Sequence, residues 1–242
     1  MRLLYSLWFF SFRQGVLEYI ERYGVIKMKD LRCKTKIPSN DFILSDVKYD
    51  LKDEKLISFT SEKVIFSPMH LFNGIIGAKS ECLLRESVVE RITEAANSLP
   101  KGYYLKIYDA WRPLKLQEEL YRKYQCLDCI DRDMISIPIK DKLNGPIHST
   151  GGAVDVTIVN SMGVELNMGT KFGDYLEKSQ TDYFELRYPD NIEIIKNRRL
   201  LYNVMTDVGF TNIPTKWWHY DFGNRYWAYY TKEPVKYGCE FV

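Results

Sequence analysis

The chain carries three histidines, so any imidazole chemistry must be built from His70, His148 and His219. His148 opens the run His148-Ser149-Thr150-Gly151-Gly152-Ala153-Val154-Asp155. Paired glycines let the backbone turn back, which brings His148 towards Asp155. Asp155 is flanked by Val154 and Val156 and should be buried. A buried carboxylate is costly unless it is paired or holds a metal. His219 sits in Trp217-Trp218-His219-Tyr220. Two imidazoles and one carboxylate form a zinc-type donor set that leaves the fourth position open, as catalytic sites do. Spacing alone leaves other readings open. His219 in an aromatic strand also fits a satisfied core histidine, and Asp155 also fits a loop cap or an arginine partner.

The elements that must position these residues follow from periodicity. Residues 43–51 and 63–66 read as strands. Val88, Val89, Ile92, Ala95 and Ala96 keep a helical period over 86–98, which Pro100 and Gly102 stop. The stretch 103–108 reads as a strand, and Pro113 can open a helix running to about Tyr124. Residues 125–145 are loop-like. In the strand 153–159, Ala153, Asp155 and Thr157 share one face, and Val154, Val156 and Ile158 share the other. Residues 191–208 read as a long amphipathic helix ending at Gly209, and 217–222 as a final core strand. The order implies an α+β fold with a central antiparallel sheet and flanking helices. Residues 1–45 read as an N-terminal helical extension and 46–242 as the main domain.

Composition excludes several classes. Lys plus Arg number 34 and Asp plus Glu 32, for a net charge of +2. That balance argues against a dedicated nucleic-acid binder. No apolar run is long enough for a stable membrane span. Residues 1–12, MRLLYSLWFFSF, are basic and then apolar, but no small-residue cleavage site follows. A packed helix, a membrane-surface anchor and an export signal are the three readings, in that order. Five cysteines form no disulfide framework and suit a reducing, cytoplasmic setting. Cys126 and Cys129 form a lone CxxC without a second pair, a weak signal for metal or redox chemistry.

Five motifs occur in one order: Phe72-Asn73-Gly74 with Glu81-Cys82-Leu83-Leu84-Arg85; Leu105 through Pro113 with its Asp-Ala-Trp-Arg-Pro ending; His148 to Asp155 as HxxGxAxD; Asn167-Met168-Gly169-Thr170-Lys171-Phe172; and Trp217-Trp218-His219. In these the chain resembles the D-alanyl-D-alanine dipeptidases of the vancomycin-resistance type, zinc DD-peptidases related to the hedgehog-like peptidases. The resemblance covers about 150 residues, from 72 to about 223. It implies a single zinc-peptidase domain, one zinc ion held by His148, Asp155 and His219, and a small peptide substrate. It implies that Arg112 stabilises the tetrahedral intermediate, a task suited to a fixed, permanently charged guanidinium. Read from the residues alone, Arg112 could instead pair with a core carboxylate such as Asp109. His70 matches no ligand position and is expected in a loop.

The chain departs from the family at three points. Where the family has a glutamate three residues before the last histidine, acting as proton carrier from water to leaving amine, this chain has Lys216. An ammonium cannot accept a proton. At about 5 Å from a site of roughly unit positive charge and an effective dielectric near 20, repulsion of about 3 kcal/mol would draw its pKa to about 8. Gly173 stands where dipeptidases place an aspartate for the substrate ammonium, which makes Asp174, one position on, the candidate substitute. Pro146 and Ile147 precede His148 where the family usually offers serine. The expected function is therefore zinc-dependent hydrolysis of D-Ala-D-Ala or a related dipeptide in cell-wall metabolism, limited by Lys216. The alternatives are a zinc-binding pseudo-peptidase that binds a peptide or protein, and a zinc site in which Lys216 receives an acidic substrate.

Overall fold

The computed structural model describes residues 47–125 and 135–241. In chain order, the elements begin with β1 (Leu56–Ser58), β2 (Val64–Phe66), α1 (Met69–Phe72), β3 (Leu83–Arg85) and α2 (Glu86–Ser98). There follow β4 (Tyr103–Asp109), α3 (Leu114–Gln125), β5 (Ala153–Asn160), α4 (Tyr183–Arg187) and α5 (Ile192–Asp207). The chain closes with β6 (Thr211–Asn212), β7 (His219–Asp221) and α6 (Arg225–Thr231). The fold is α+β. A five-stranded sheet runs β2-β4-β5-β7-β6, and β1 pairs with β3 in a separate ribbon. The central sheet is antiparallel except for β2 and β4, which run parallel.

β5 is buried along nearly its whole length, and its two faces do different work. Val154, Val156 and Ile158 enter the main core with Ile92, Ala95 and Ala96 of α2 and Leu201, Val204 and Met205 of α5. Each fully buried side chain of this size contributes about 1.5–3 kcal/mol, so Ile92→Ala should cost about 2–5 kcal/mol. On the opposite face Ala153 packs with Ile147, Ile213 and Tyr226, and Asp155 and Thr157 follow it. This second face is where the polar residues collect. α5 ends as its sequence implies, with Gly209 beyond it at φ 97°.

Three expectations need correction. Residues 47–51 form only an isolated bridge from Tyr49 to Val235 rather than a strand, and 43–46 lie outside the described residues. The final strand begins at His219, not Trp217. The two tryptophans occupy a turn, where Trp217 has partners outside the sheet: its backbone N–H donates to the Ser179 carbonyl and its indole to Thr170 Oγ1 at 2.8 Å. His70 is not in a loop but on α1, buried at 7 % exposure. The N-terminal extension 1–45 and the Cys126–Cys129 pair lie outside the described residues. No helix among the described residues is long and apolar enough to cross a membrane.

Candidate metal centre

His148 sits in a buried 3-10 turn, Ile147–Thr150. Pro146 leads in, and Gly151 leaves at φ 72°, a conformation glycine adopts without strain. Arg85 locks the turn from behind. Its Nε donates to the Thr150 carbonyl at 2.8 Å, and its Nη2 reaches the Gly238 carbonyl and Glu240. The arginine that ends the Glu-Cys-Leu-Leu-Arg motif is thus a clamp on the histidine loop. Gly152 must lack a side chain for a separate reason: a Cβ there would stand 2.3 Å from the Phe222 carbonyl oxygen.

Asp155 on β5 and His219 on β7 are direct register partners. Asp155 Oδ1 lies 2.8 Å from His219 Nδ1 and 3.5 Å from His148 Nε2. His148 Nε2 and His219 Nδ1 are themselves 3.2 Å apart. All three residues are buried, with one donor atom from each meeting the others within 4.8 Å.

The far side of each ring fixes what the near side offers. His148 Nδ1 lies 2.9 Å from the Ala110 carbonyl, which can only accept, so that nitrogen carries the proton. His219 Nε2 lies 3.2 Å from Asp221 Oδ1 and is protonated for the same reason. Asp221 is fully buried and held by Asn224 Nδ2 at 2.6 Å. The two nitrogens facing inward then present lone pairs to each other and to a carboxylate. Three acceptors at such distances repel unless a cation lies among them. The donor chemistry therefore fits a metal ion, with Ala110 and Asp221 as the outer partners that orient the rings. Without one, the cluster draws in a proton: against its burial, Asp221 and the hydrogen bonds to Asp155 and Asp221 push the His219 imidazole up to about 9. Burial and Arg112 lower the pKa of His148, and His148 and His219 hold the Asp155 carboxyl, despite its burial, well below the usual range.

Arg112 pairs with Asp109, the alternative read from the residues alone, and it also lines the cavity. Its Nε and Nη2 donate to Asp109 Oδ2 at 2.9 and 2.5 Å, and its Nη1 donates to Gln117 Oε1 at 2.6 Å. It still faces the cavity beside the histidines, with Nη2 4.0 Å from Asp155 Oδ2. A bulge in β4 makes this arrangement. Ile107 pairs with Val156, yet Asp109 rather than Tyr108 pairs with Asp155. One inserted residue re-aims the strand and brings Asp109 beside Asp155, and Arg112 offsets the two charges.

The cavity has a volume of about 50 Å³. Arg112, His148, Asp155, Tyr175, Lys216, Trp218 and His219 are in its wall. Lys216 thus shares one cavity with the donor cluster, and its Nζ lies 5.3 Å from the centre of the Tyr175 ring. Burial, helped by Arg112 and opposed by Asp155 and Asp221, draws the lysine down to about 8. Burial and Arg112 are causes that the sequence expectation, built on a metal's charge, does not include. Asp174 is not in this wall. Its Oδ2 accepts from the Lys171 backbone N–H at 2.9 Å, closing its own loop.

Asp109, Asp221 and Tyr175 belong to the site or its supports, and the sequence reading gave none of them a functional role. Asp221 had a signal, a carboxylate two residues after a strand histidine and so on the same face. Asp109 reads from the residues only as a possible partner of Arg112, and the bulge that brings it beside Asp155 leaves no mark in the periodicity.

Residues 69–236 match the family model described as D-ala-D-ala dipeptidase. The chain is 24% identical over 182 residues to a D-alanyl-D-alanine dipeptidase of Synechocystis, covering 62% of this chain and 73% of that protein. It is 30% identical over 144 residues to a D-alanyl-D-alanine dipeptidase of Escherichia coli K12, covering 59% and 68%.

Proposed function

The chain belongs to the D-Ala-D-Ala dipeptidase family, and from that premise we propose that it is a zinc-dependent peptidase for D-Ala-D-Ala or a closely related small dipeptide, slowed by Lys216. The observation that carries this reading is the convergence of His148 Nε2, Asp155 Oδ1 and His219 Nδ1 in one cavity with Arg112. We assign those three atoms as the zinc ligands. A zinc ion held there supplies Lewis-acid polarisation of the scissile carbonyl.

The chain's own residues supply the remainder. Arg112, held rigid by Asp109 and Gln117, offers cavity-facing guanidinium charge to the developing oxyanion. Trp218 and Tyr175 wall the cavity with rings, which favours small side chains such as that of alanine. Lys216 takes the place of the proton carrier. At pH 7 most of it is charged, so only the minor neutral fraction can act as base, and hydrolysis is correspondingly slow. Asp174 does not line the cavity, so the ammonium contact of the family is weak or absent. Residues 46–242 act as one peptidase unit on small wall-derived peptides, in the cytoplasm.

Lys216 also favours a second reading, a zinc-holding relative that binds a peptide without cleaving it. Amine release from D-Ala-D-Ala, measured for the zinc-loaded chain and again after chelation, separates the two. Slow, chelator-sensitive release is expected. Zinc binding and dipeptide binding with no release would favour the second reading. Undiminished zinc in His148→Ala would overturn the ligand assignment.

A further inference from the structure

His70 is unlike the other two histidines, because it lies outside the donor cluster and outside the motifs. It is nonetheless buried, and its Nε2 has no hydrogen-bond partner within the normal range. That nitrogen faces Asp109 Oδ2 at 3.4 Å. Asp109 Oδ2 is the same atom that receives Arg112 Nε and Nη2, and it lies 3.6 Å from His148 Nδ1. One carboxylate oxygen thus meets a guanidinium and two imidazoles. His70 and Asp109 line a small cavity with Tyr108 and Trp111, and none of the donor-cluster residues is in its wall. The His70 ring also lies 5.9 Å from Phe172, which stacks on Tyr108 at 4.5 Å.

A buried carboxylate with one strong partner on one side can rotate about its last bond. A second positive dipole close to the same oxygen limits that freedom. The His70 Nε2, 3.4 Å from Oδ2 and outside hydrogen-bond geometry, supplies such a dipole at close range, and the fixed oxygen then fixes the guanidinium that grips it. Arg112 needs such fixing, because an oxyanion donor acts only if it is already in place when charge develops. The low position of the Asp109 carboxyl pKa, held there despite burial by Arg112 first and His70 second, accords with this.

We propose that His70 is a positioning residue for Arg112, acting through the Asp109 carboxylate rather than by touching substrate. The proposal rests on the reading of Arg112 as the oxyanion donor.

The test uses the full zinc-loaded chain and a phosphinate analogue of D-Ala-D-Ala, an anion that mimics the tetrahedral geometry, with affinity measured by calorimetry. His70→Gln keeps a nitrogen donor near the Nε2 position, whereas His70→Asn keeps one near Nδ1 and His70→Phe keeps only the ring. His70→Gln should bind within about twofold of the natural chain, and His70→Phe and His70→Asn about tenfold more weakly, the size of one lost polar contact. Zinc content should be equal in all. A second readout needs no metal: the Arg112 Nε proton should exchange faster in His70→Asn than in His70→Gln by NMR. If Phe fails to fold, the Gln and Asn pair decides the matter. Equal affinity and equal exchange in Gln and Asn would overturn the proposal. Arg112→Ala separates the two layers: an unchanged affinity there overturns the oxyanion reading itself, while a large loss there with no effect at His70 overturns only the inference about His70.

Discussion

Asp155 and His219 face each other across β5 and β7, with Oδ1 of the first 2.8 Å from Nδ1 of the second. Asp109 lies in the same row on the neighbouring strand β4. A sheet row thus carries the carboxylate that anchors the arginine, the carboxylate of the donor cluster and one of its histidines. Register, not loop flexibility, sets these spacings. His148 alone enters from a turn, which Arg85 and two glycines hold in place.

Asp221 should govern metal affinity without touching the metal. It holds the Nε2 proton of His219 and so keeps Nδ1 available. Asp221→Asn should weaken zinc binding about 10–100-fold, the usual range for such partners. Competition with a zinc chelator would measure it. An unchanged affinity would mean that the His219 ring is oriented by its strand alone.

Much of this centre was legible in the sequence. The alternation around Asp155 gave its face, and the paired glycines gave the return of the His148 turn. The boundaries of α2 and α5 followed from apolar period and from the glycine beyond α5. The parts that were not legible are those set by contacts distant in sequence. Nothing local marks the β4 bulge, which shifts the register between Ile107 and Asp109. Nor does the sequence show that Trp217 is held by Thr170 and Ser179, which delays the start of β7. His70 read as a loop residue because it matches no ligand position, and nothing local marks the short helix α1 that buries it.

Gly152→Ala should be more damaging than a surface change. The added Cβ meets the Phe222 backbone oxygen at 2.3 Å, and backbone cannot yield as a side-chain tip can. A loss of about 1–3 kcal/mol is expected, the usual cost of overpacking. Denaturant unfolding would read it. The displaced carbonyl follows the His219 strand, so zinc affinity should fall with it.

The thiols give a pH dependence. Burial, aided by Asp109, pushes Cys82 up to about 12, and burial also pushes Cys239 up to about 12. An unfolded thiol ionises near 8.5. Above that value the unfolded chain gives up protons that the folded chain keeps, so folding weakens as pH rises. The contribution is complete below about pH 8 and is lost progressively towards pH 12. Cys82→Ala and Cys239→Ala should each flatten the alkaline limb of a stability profile. In the folded chain at pH 8, mapping by alkylation and mass spectrometry should find both thiols unmodified. Rapid labelling of either one would contradict its burial.

Asp174→Asn should change the KM for D-Ala-D-Ala by less than about threefold, because the carboxylate closes its own loop and is not in the cavity wall. Steady-state kinetics would check this. A tenfold rise in KM would restore Asp174 as the receiver of the substrate ammonium.

The central claim is that this cavity is a family peptidase site complete in its metal ligands and arginine, and limited by one lysine. The most direct measurement compares zinc-loaded natural chain with Lys216→Glu in hydrolysis of D-Ala-D-Ala at pH 7. Restoring a proton carrier should raise kcat by about 10²–10⁴-fold, the usual worth of general acid–base catalysis, with zinc content unchanged. A Lys216→Glu chain that binds zinc yet works no faster than the natural one would contradict the account.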